Sequence, residues 1–137
     1  MYSNLGLTHV FPPAARIAES RITRLRDIGL TTARAESIRA FARAYSDERL
    51  QLDAGATLAE LTESLEVVPG VGPWTAQMIA MQAACHPDAF PAGDLGLRRN
   101  VGRLVADGRT MTHRELDEIA EAWRPHRSLA AMHLWLA

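Results

Sequence analysis

The chain has 137 residues, 47% hydrophobic and 23% charged, which is typical of a globular domain and not of a disordered segment. Its 15 basic and 16 acidic residues nearly cancel, so net charge neither favours nor excludes a polyanionic partner. Every basic residue is arginine and Cys85 is the only cysteine, which excludes a lysine Schiff base, an internal disulfide, a four-cysteine iron–sulfur cluster and a cysteine-rich zinc site.

The sequence predicts an all-α fold, a helical bundle, because apolar residues recur at helical spacing and strand-like alternation is scarce. Prolines, glycines and Thr or Asp caps delimit the segments. In chain order the predicted helices are one opened by Pro12-Pro13 and ending at Ser20, Ser20–Ile28 with Gly29 as its stop, one preceded by Thr31-Thr32, 57–66, Trp74–Cys85, Asp94–Ala106, one that follows Thr112, and Ser128–Leu136.

Two of these helices begin with a predicted capping box, Thr57 with Glu60 and Thr112 with Glu115. The apolar spacing also predicts which helix faces are buried. In the helix after Thr31-Thr32, the predicted buried residues are Ile38, Phe41, Ala42 and Tyr45. In the helix Asp94–Ala106, they are Leu97, Val101, Leu104 and Val105.

The stretch VPGVGPWTA, residues 68–76, joins two apolar helices through two glycines and two prolines. Glycine permits positive φ and close approach of another backbone, and Pro73 suits the first position of a helix. Such a corner exposes backbone amides at a helix N-terminus, where anions and above all phosphates bind. The alternative is a tight αα-hairpin that binds no ligand.

The longer segment LTESLEVVPGVGPWTAQMIAM resembles the helix-hairpin-helix element of DNA-repair glycosylases. The resemblance implies that a DNA backbone phosphate lies on the amides of Gly70, Val71 and Gly72. It also implies a monovalent cation, Na⁺ or K⁺, on the backbone carbonyls of Glu66, Val68 and Val71, and no other cofactor. Phosphate contacts of this kind position a protein on DNA without reading the base sequence.

A second motif, FPAGDLGLRR, places Asp94 at a predicted helix start, 22 residues after Gly72. An aspartate there is a favoured N-cap, which is the structural interpretation. The glycosylase superfamily that the hairpin resembles has a Gly/Pro-rich loop ending in a catalytic aspartate, and Asp94 falls on that position. A fixed, ionised carboxylate would stabilise the positive charge that builds on the sugar as the base leaves, and would orient or deprotonate the attacking water.

The absence of lysine indicates a monofunctional enzyme, since strand-cutting members carry a lysine nucleophile where this chain has Trp74. The segments GLTHVFPP and AEAWRPHRSLAAMHLWLA extend the resemblance to the alkylation-repair branch, 3-methyladenine DNA glycosylase II. The base-pocket candidates are Trp74, Met78 and His126. For Trp74 the alternative is a place in the core, and His126 departs from relatives, which often have tryptophan there.

Four arginines complete the candidate residues. Arg98 and Arg99 either contact phosphate, hold the Asp94 carboxylate, or form a solvated face. Arg124 and Arg127 either approach the pocket or DNA, or form salt bridges with Glu118 or Glu121, and these two alternatives stay open.

We therefore expect residues 1–137 to form a partial helix-hairpin-helix DNA glycosylase domain, with its hairpin at 66–73 and its catalytic loop at 90–94. The expected partner is double-stranded DNA with alkylated bases. The usual N-terminal domain and first helices are missing from the resemblance, which leaves apolar surface for that domain or for self-association. The alternatives are a non-catalytic DNA-binding fragment of a larger repair protein and, third, a helical protein-binding scaffold.

No apolar run approaches the roughly 18 residues that a membrane span needs, and no signal-peptide pattern is present. A single cysteine fits a reducing compartment. The expected location is the cytoplasm of a bacterial type of cell, in association with the nucleoid.

Overall fold

The computed structural model describes residues 9–50, 52 and 55–136, and all regular secondary structure in that part of the chain is helical. The elements are α1 (Ala14–Ala18), α2 (Ile22–Asp27), α3 (Thr32–Ser46), α4 (Leu58–Glu66), α5 (Pro73–Gln82), α6 (Leu95–Val105), α7 (His113–Ala120) and α8 (Arg127–Trp135), with a 3-10 helix at Glu121–Trp123 before α8. The predicted all-α class is confirmed. Of the segment GLTHVFPP, the first three residues lie outside the described ranges.

Backbone contacts divide the chain into two compact units. Unit 1 comprises Met1–Leu50 and Val68–Gly70, and unit 2 comprises Gln51–Val67 and Val71–Ala137. Among the helices described in both units, none has the length and apolar character that crossing a bilayer requires.

In unit 1, α3 packs against both α1 and α2. The predicted end and start signals are confirmed. Gly29 follows the end of α2 at φ +95°, and at the start of α3 the Thr31 side chain accepts a hydrogen bond from the Arg34 amide at 3.3 Å. The predicted buried stripe of α3 is wrong at two positions, because Ile38 and Tyr45 are 40% and 48% exposed. The buried residues of α3 are small ones: Ala35, Ala42 and Ala44. Small side chains let neighbouring helices approach closely, and α3 packs against both α1 and α2.

In unit 2, α4 packs on α5, while α6 contacts both α7 and α8. Both predicted capping boxes form, with the Thr57 and Thr112 hydroxyls accepting from the amides of Glu60 and Glu115. The largest fully buried side chains of the described residues are Leu61, Leu65, Leu97, Leu116 and Pro91. Pro91 belongs to the loop before α6, so the loop that leads to Asp94 is part of the core.

The predicted buried face of α6 is half wrong. Leu97 and Val101 are buried as expected, but Leu104 and Val105 are each 63% exposed. The chain beyond α6 folds back so closely that a Cβ on Gly102 would lie 1.9 Å from the Arg109 carbonyl oxygen. The returning chain therefore covers the helix at Gly102, and the last residues of the helix remain exposed.

Candidate functional site

The two glycines of the hairpin have different roles. Gly70 has φ +86°, and a Cβ there would lie 1.9 Å from Ser37 Oγ and 2.7 Å from Ser37 Cβ. Both backbone and space therefore require glycine at this position. Gly72 has φ −98° and ψ 177°, which any residue adopts, and no heavy atom lies within 4 Å of the position of an added Cβ. The fold does not require glycine at 72, so the open space beside it is available for a ligand.

Helix α5 begins with an open N-terminus. Gly72 is its N-cap without any side-chain hydrogen bond, and Pro73 occupies the first turn. The Ala76 amide donates to the Gly72 carbonyl at 2.9 Å, and the amides of Trp74 and Thr75 precede this first helical bond. Helix starts leave such amides for outside acceptors, and the helix dipole favours an anion there.

Asp94 is the N-cap of α6, and hydrogen bonds from several residues hold its carboxylate. Oδ1 accepts from the Leu97 amide and from Trp135 Nε1, both at 3.0 Å. Oδ2 accepts from Trp74 Nε1 at 3.2 Å. The predicted N-cap role is confirmed, and it coexists with a half-buried carboxylate joined to the first turn of α5.

The hydrogen bonds determine the ionisation of Asp94. Burial alone would raise its pKa, but hydrogen bonds from the Trp135 indole, the Leu97 amide, the Trp74 indole and the Gly96 amide outweigh that effect and lower it. Each of these donors stabilises the charged form. Asp94 is therefore an anion at neutral pH.

The residues predicted for the base pocket lie on two helices of unit 2. Trp74 is 45% exposed, so the alternative that it belongs to the core is wrong. Its Cβ and Cδ1 lie 3.8 Å from the position of an added Cβ on Gly93, directly before Asp94. Met78 follows Trp74 by one turn on the same face of α5 and is half-buried. His126 is the exposed N-cap of α8.

The loop before Asp94 is tied to neighbouring elements at several points. The Phe90 amide donates to Gln77 Oε1 on α5 at 2.9 Å. Ser128 Oγ lies 2.7 Å from the carbonyl oxygens of both His86 and Ala89. The Phe90 ring packs edge-on against Trp123, with centroids 5.7 Å apart. The backbone that positions Asp94 is thus held from α5, α8 and the 3-10 helix.

A buried ion-pair network at Asp88 reinforces this loop. Asp88 and Arg127 are 8% and 5% exposed, and Arg127 donates to both Asp88 oxygens at 2.9 and 3.0 Å. Arg124 also pairs with Asp88 and with Glu121. Arg127 Nη1 lies 3.2 Å from Glu121 Oε1. The salt-bridge alternative is confirmed for Glu121, whereas the bridge with Glu118 is wrong because that residue pairs with Arg114.

Arg98 and Arg99 are not the groups that hold the Asp94 carboxylate. Arg98 Nε donates to the Met111 carbonyl at 2.6 Å, and the Met111 amide donates back to the Arg98 carbonyl at 3.1 Å. Holding the carboxylate falls to the tryptophans instead, so that prediction for the arginines is wrong. Arg99 is exposed, and the phosphate contacts of both residues stay predictions.

The predicted cation ligands belong to different units. Glu66, which ends α4, and Val71 are in unit 2, whereas Val68, with its side chain 5% exposed, is in unit 1. Their carbonyl ligand set stays a prediction, as does the phosphate contact of the Gly70, Val71 and Gly72 amides.

Two important residues were missed by sequence reasoning. Trp135 lies near the end of the segment AEAWRPHRSLAAMHLWLA, and Asp88 lies just before the FPAGD loop, but neither pattern assigned them a role. Trp135 is 41 residues from the carboxylate that it contacts, and Asp88 is 39 residues from Arg127. The presence of Trp135 in a segment on which the resemblance rests was the one available signal.

A glycine-built corner, an open helix start and an ionised N-cap aspartate at that start define a helix-hairpin-helix domain of the base-excision type. A family model described as "HhH-GPD superfamily base excision DNA repair protein" matches residues 2–125. The chain belongs to this superfamily, and the resemblance inferred from the hairpin and the aspartate loop is confirmed.

Similar proteins include a DNA repair enzyme and 3-methyladenine DNA glycosylases. The chain is 42% identical over 130 residues to a probable bifunctional transcriptional activator/DNA repair enzyme AlkA of Mycobacterium tuberculosis, covering 95% of this chain and 25% of that protein. It is similar to the structure of a 3-methyladenine DNA-glycosylase from Archaeoglobus fulgidus, with TM-score 0.80 and 31% identity over 92% of this chain and 42% of the other.

A second similar structure is the Schizosaccharomyces pombe 3-methyladenine DNA glycosylase Mag1 in complex with abasic DNA. Its TM-score is 0.83 at 25% identity, over 91% of this chain and 62% of that one. The chain thus spans from a quarter to less than two thirds of the length of these three proteins.

Proposed function

We propose that the chain carries the catalytic part of a monofunctional DNA glycosylase that hydrolyses the N-glycosidic bond of alkylated, 3-methyladenine-type bases in base excision repair. The observation that carries this proposal is the hydrogen bond from Trp74 to Asp94. Trp74 lies two residues after Gly72, so the side chain that binds the ionised carboxylate belongs to the first turn of the helix whose start suits a phosphate.

The chemistry follows from the charge of Asp94. As the bond between C1′ and the base nitrogen breaks, its electrons leave with the base and positive charge grows on the sugar. An alkylated, cationic purine leaves as a neutral base, so the bond is weak from the outset. The Asp94 carboxylate stabilises the oxocarbenium-like sugar, and a water forms the new bond to C1′ while giving up its proton. Without lysine, no Schiff base forms and the product is an abasic site.

The exposed ring of Trp74 is suited to stack against a flipped base, since its N–H edge is already bound to Asp94 and its face is free of that bond. Met78 would extend the same wall by one turn, and His126 would take the place of a tryptophan found in relatives. The smaller histidine ring would reduce the aromatic surface of the pocket and alter the range of bases that it accepts.

The expected partner is double-stranded DNA with alkylated bases, and the proposed backbone contacts are the amides of Gly70, Val71 and Gly72 with Arg98 and Arg99. A bound Na⁺ or K⁺ would add positive charge next to the phosphate. The chemistry of the proposed donor set fits such an ion, since backbone carbonyl oxygens coordinate monovalent cations. The carbonyls of Glu66, Val68 and Val71 would hold the ion.

Base release tests the enzyme directly. The chain is incubated with methylated duplex DNA, and free 3-methyladenine and 7-methylguanine are measured by chromatography. We expect release of free base and no strand cleavage until the abasic sites are cut by heating in alkali. The second candidate is a non-catalytic DNA-binding fragment, which the partial coverage of the relatives favours. Duplex binding without any base release would support this second candidate and contradict the first.

Gly72→Val tests the phosphate contact independently of the chemistry. The backbone at 72 accepts valine and an added Cβ has open space within 4 Å, so the melting temperature should change little. The side chain instead fills the space that a phosphate would occupy. We expect weaker binding to damaged and undamaged duplex alike, because a phosphate contact carries no sequence or base information. Unchanged binding would show that the hairpin is not the phosphate contact.

A further inference from the structure

The Asp94 carboxylate is held by neutral donors from two separate helices. Of the three tryptophans in the chain, Trp135 on α8 donates to Oδ1 at 3.0 Å and Trp74 on α5 donates to Oδ2 at 3.2 Å. An indole has one N–H donor and no acceptor, so it can orient a carboxylate but cannot exchange a proton with it.

The two oxygens of Asp94 are not equivalent. Oδ1 accepts from both Trp135 and the Leu97 amide, which uses both of its lone-pair directions. The further donor, the Gly96 amide, belongs to a residue beside Oδ1, where an added Cβ would lie 3.0 Å from that oxygen. Oδ2 accepts from Trp74, which leaves it the less occupied of the two oxygens. Oδ2 is therefore the oxygen that can face an incoming water or the sugar, while Oδ1 is the oxygen by which the fold holds the side chain.

Asp88, which is buried, is held in a different way from the half-buried Asp94, by charged and not by neutral donors. Asp88 is neutralised by Arg127 and Arg124. Within the described ranges, Asp94 takes part in no ion pair, and neighbouring Arg98 directs Nε to the Met111 carbonyl. Neutral donors fix a carboxylate without cancelling its charge, whereas an arginine would offset the charge that has to stabilise a cationic transition state.

We propose that Trp135 is a positioning residue for hydrolysis: its indole N–H fixes Oδ1 of Asp94, so that Oδ2 points towards the reacting sugar as an unneutralised anion. This inference rests on the proposed glycosylase function. Gly96 makes the arrangement possible, because a Cβ there would lie 3.0 Å from Oδ1 and 3.6 Å from Trp135 Cδ1. The first atom of any side chain at 96 would press on Oδ1 and lie in van der Waals contact with the Trp135 ring.

Trp135→Phe tests the inference, because phenylalanine keeps an aromatic ring and removes only the donor. Trp123→Phe is the matched control, since Trp123 packs on Phe90 and removing its indole N–H takes no hydrogen bond from Asp94. The Asp94 pKa is measured by carbon-13 NMR of the carboxyl, assigned by comparison with Asp94→Asn. This readout does not depend on enzymatic activity.

We expect Trp135→Phe to raise the Asp94 pKa, since a donor to the charged form is lost, and Trp123→Phe to leave it unchanged. Single-turnover base release should fall by about 10- to 100-fold in Trp135→Phe, as is typical for loss of a group that orients a reactive residue, while duplex affinity stays unchanged. A purely structural role would not move the carboxyl titration. An equal Asp94 pKa in both variants would overturn the inference.

The wild-type chain gives a second measurement should the variant fold poorly. The indole N–H resonance of Trp135 should titrate with the same midpoint as the Asp94 carboxyl, and independent midpoints would also overturn the inference. A chain that shows this coupling but releases no base would support the contact between Trp135 and Asp94 and contradict the proposed function, so the two failures are distinguishable.

Discussion

Replacing Asp88 with asparagine tests how the loop before Asp94 is held. Asp88 accepts two hydrogen bonds from Arg127, whose side chain is 6% exposed, and also pairs with Arg124. Asparagine keeps the shape but removes the charge and turns an NH₂ group towards one guanidinium. Arg127 then retains Glu121 at 3.2 Å as its ion-pair partner, and the Glu121 side chain is 54% exposed.

The expected cost is about 3 kcal/mol, the lower end of the range for removing one partner of a buried pair, because Glu121 remains. At about 2.1 cal/mol/K of unfolding entropy per residue, this corresponds to a fall in melting temperature of roughly 10 °C for the chain. Base release should fall as well, since the same network connects α8 to the loop that carries Asp94.

Thermal unfolding by circular dichroism measures the effect, with Arg114→Ala as the matched control. The Arg114–Glu118 pair is 3.5 Å long and its side chains are 88% and 68% exposed. Such surface pairs contribute about 1 kcal/mol at most. If Asp88→Asn melts at the same temperature as Arg114→Ala, the buried network does not stabilise the loop and the reasoning is refuted.

Gly70→Ala should destabilise the chain by about 1 to 3 kcal/mol in urea unfolding, because φ is +86° and the added Cβ would lie 1.9 Å from Ser37 Oγ. Gly72→Ala should be nearly neutral in the same assay, and equal losses would contradict the distinction between the two glycines. The pKa of Glu115 lies at about 2 instead of 4.5, chiefly through hydrogen bonding with Arg109. Its contribution to stability is therefore complete above pH 4.5 and is lost as the pH falls towards about 2, and Glu115→Gln should flatten this part of the stability profile.

Local signals in the sequence predicted most of the helices. Both capping boxes, the glycine after α2 and the cap at Thr31 act over four residues or fewer, so a single sequence contains all the information they need. The buried face of α3 was harder to predict from the sequence. Apolar spacing predicted burial of Ile38 and Tyr45, whereas the helix buries Ala35, Ala42 and Ala44, because the neighbouring helices and not the helix alone decide which residues are covered.

The residues of the site also divide into those that a local motif predicts and those that only the folded chain brings together. Asp94 could be predicted as an N-cap and as a candidate catalyst from its own motif. Its tryptophan donors come from 20 residues before it and 41 residues after it, and a pattern confined to one segment cannot pair them. The different conformations of Gly70 and Gly72 also depend on three-dimensional surroundings, since only Gly70 faces Ser37.

The most direct test of the central claim is single-turnover base release by Asp94→Asn. Asparagine is also a good N-cap and keeps the start of α6, so the fold and duplex binding should be retained. We predict that release of 3-methyladenine falls by about 100- to 1,000-fold while duplex affinity is unchanged. Release at the wild-type rate would contradict the assignment of Asp94 as the residue that stabilises the transition state.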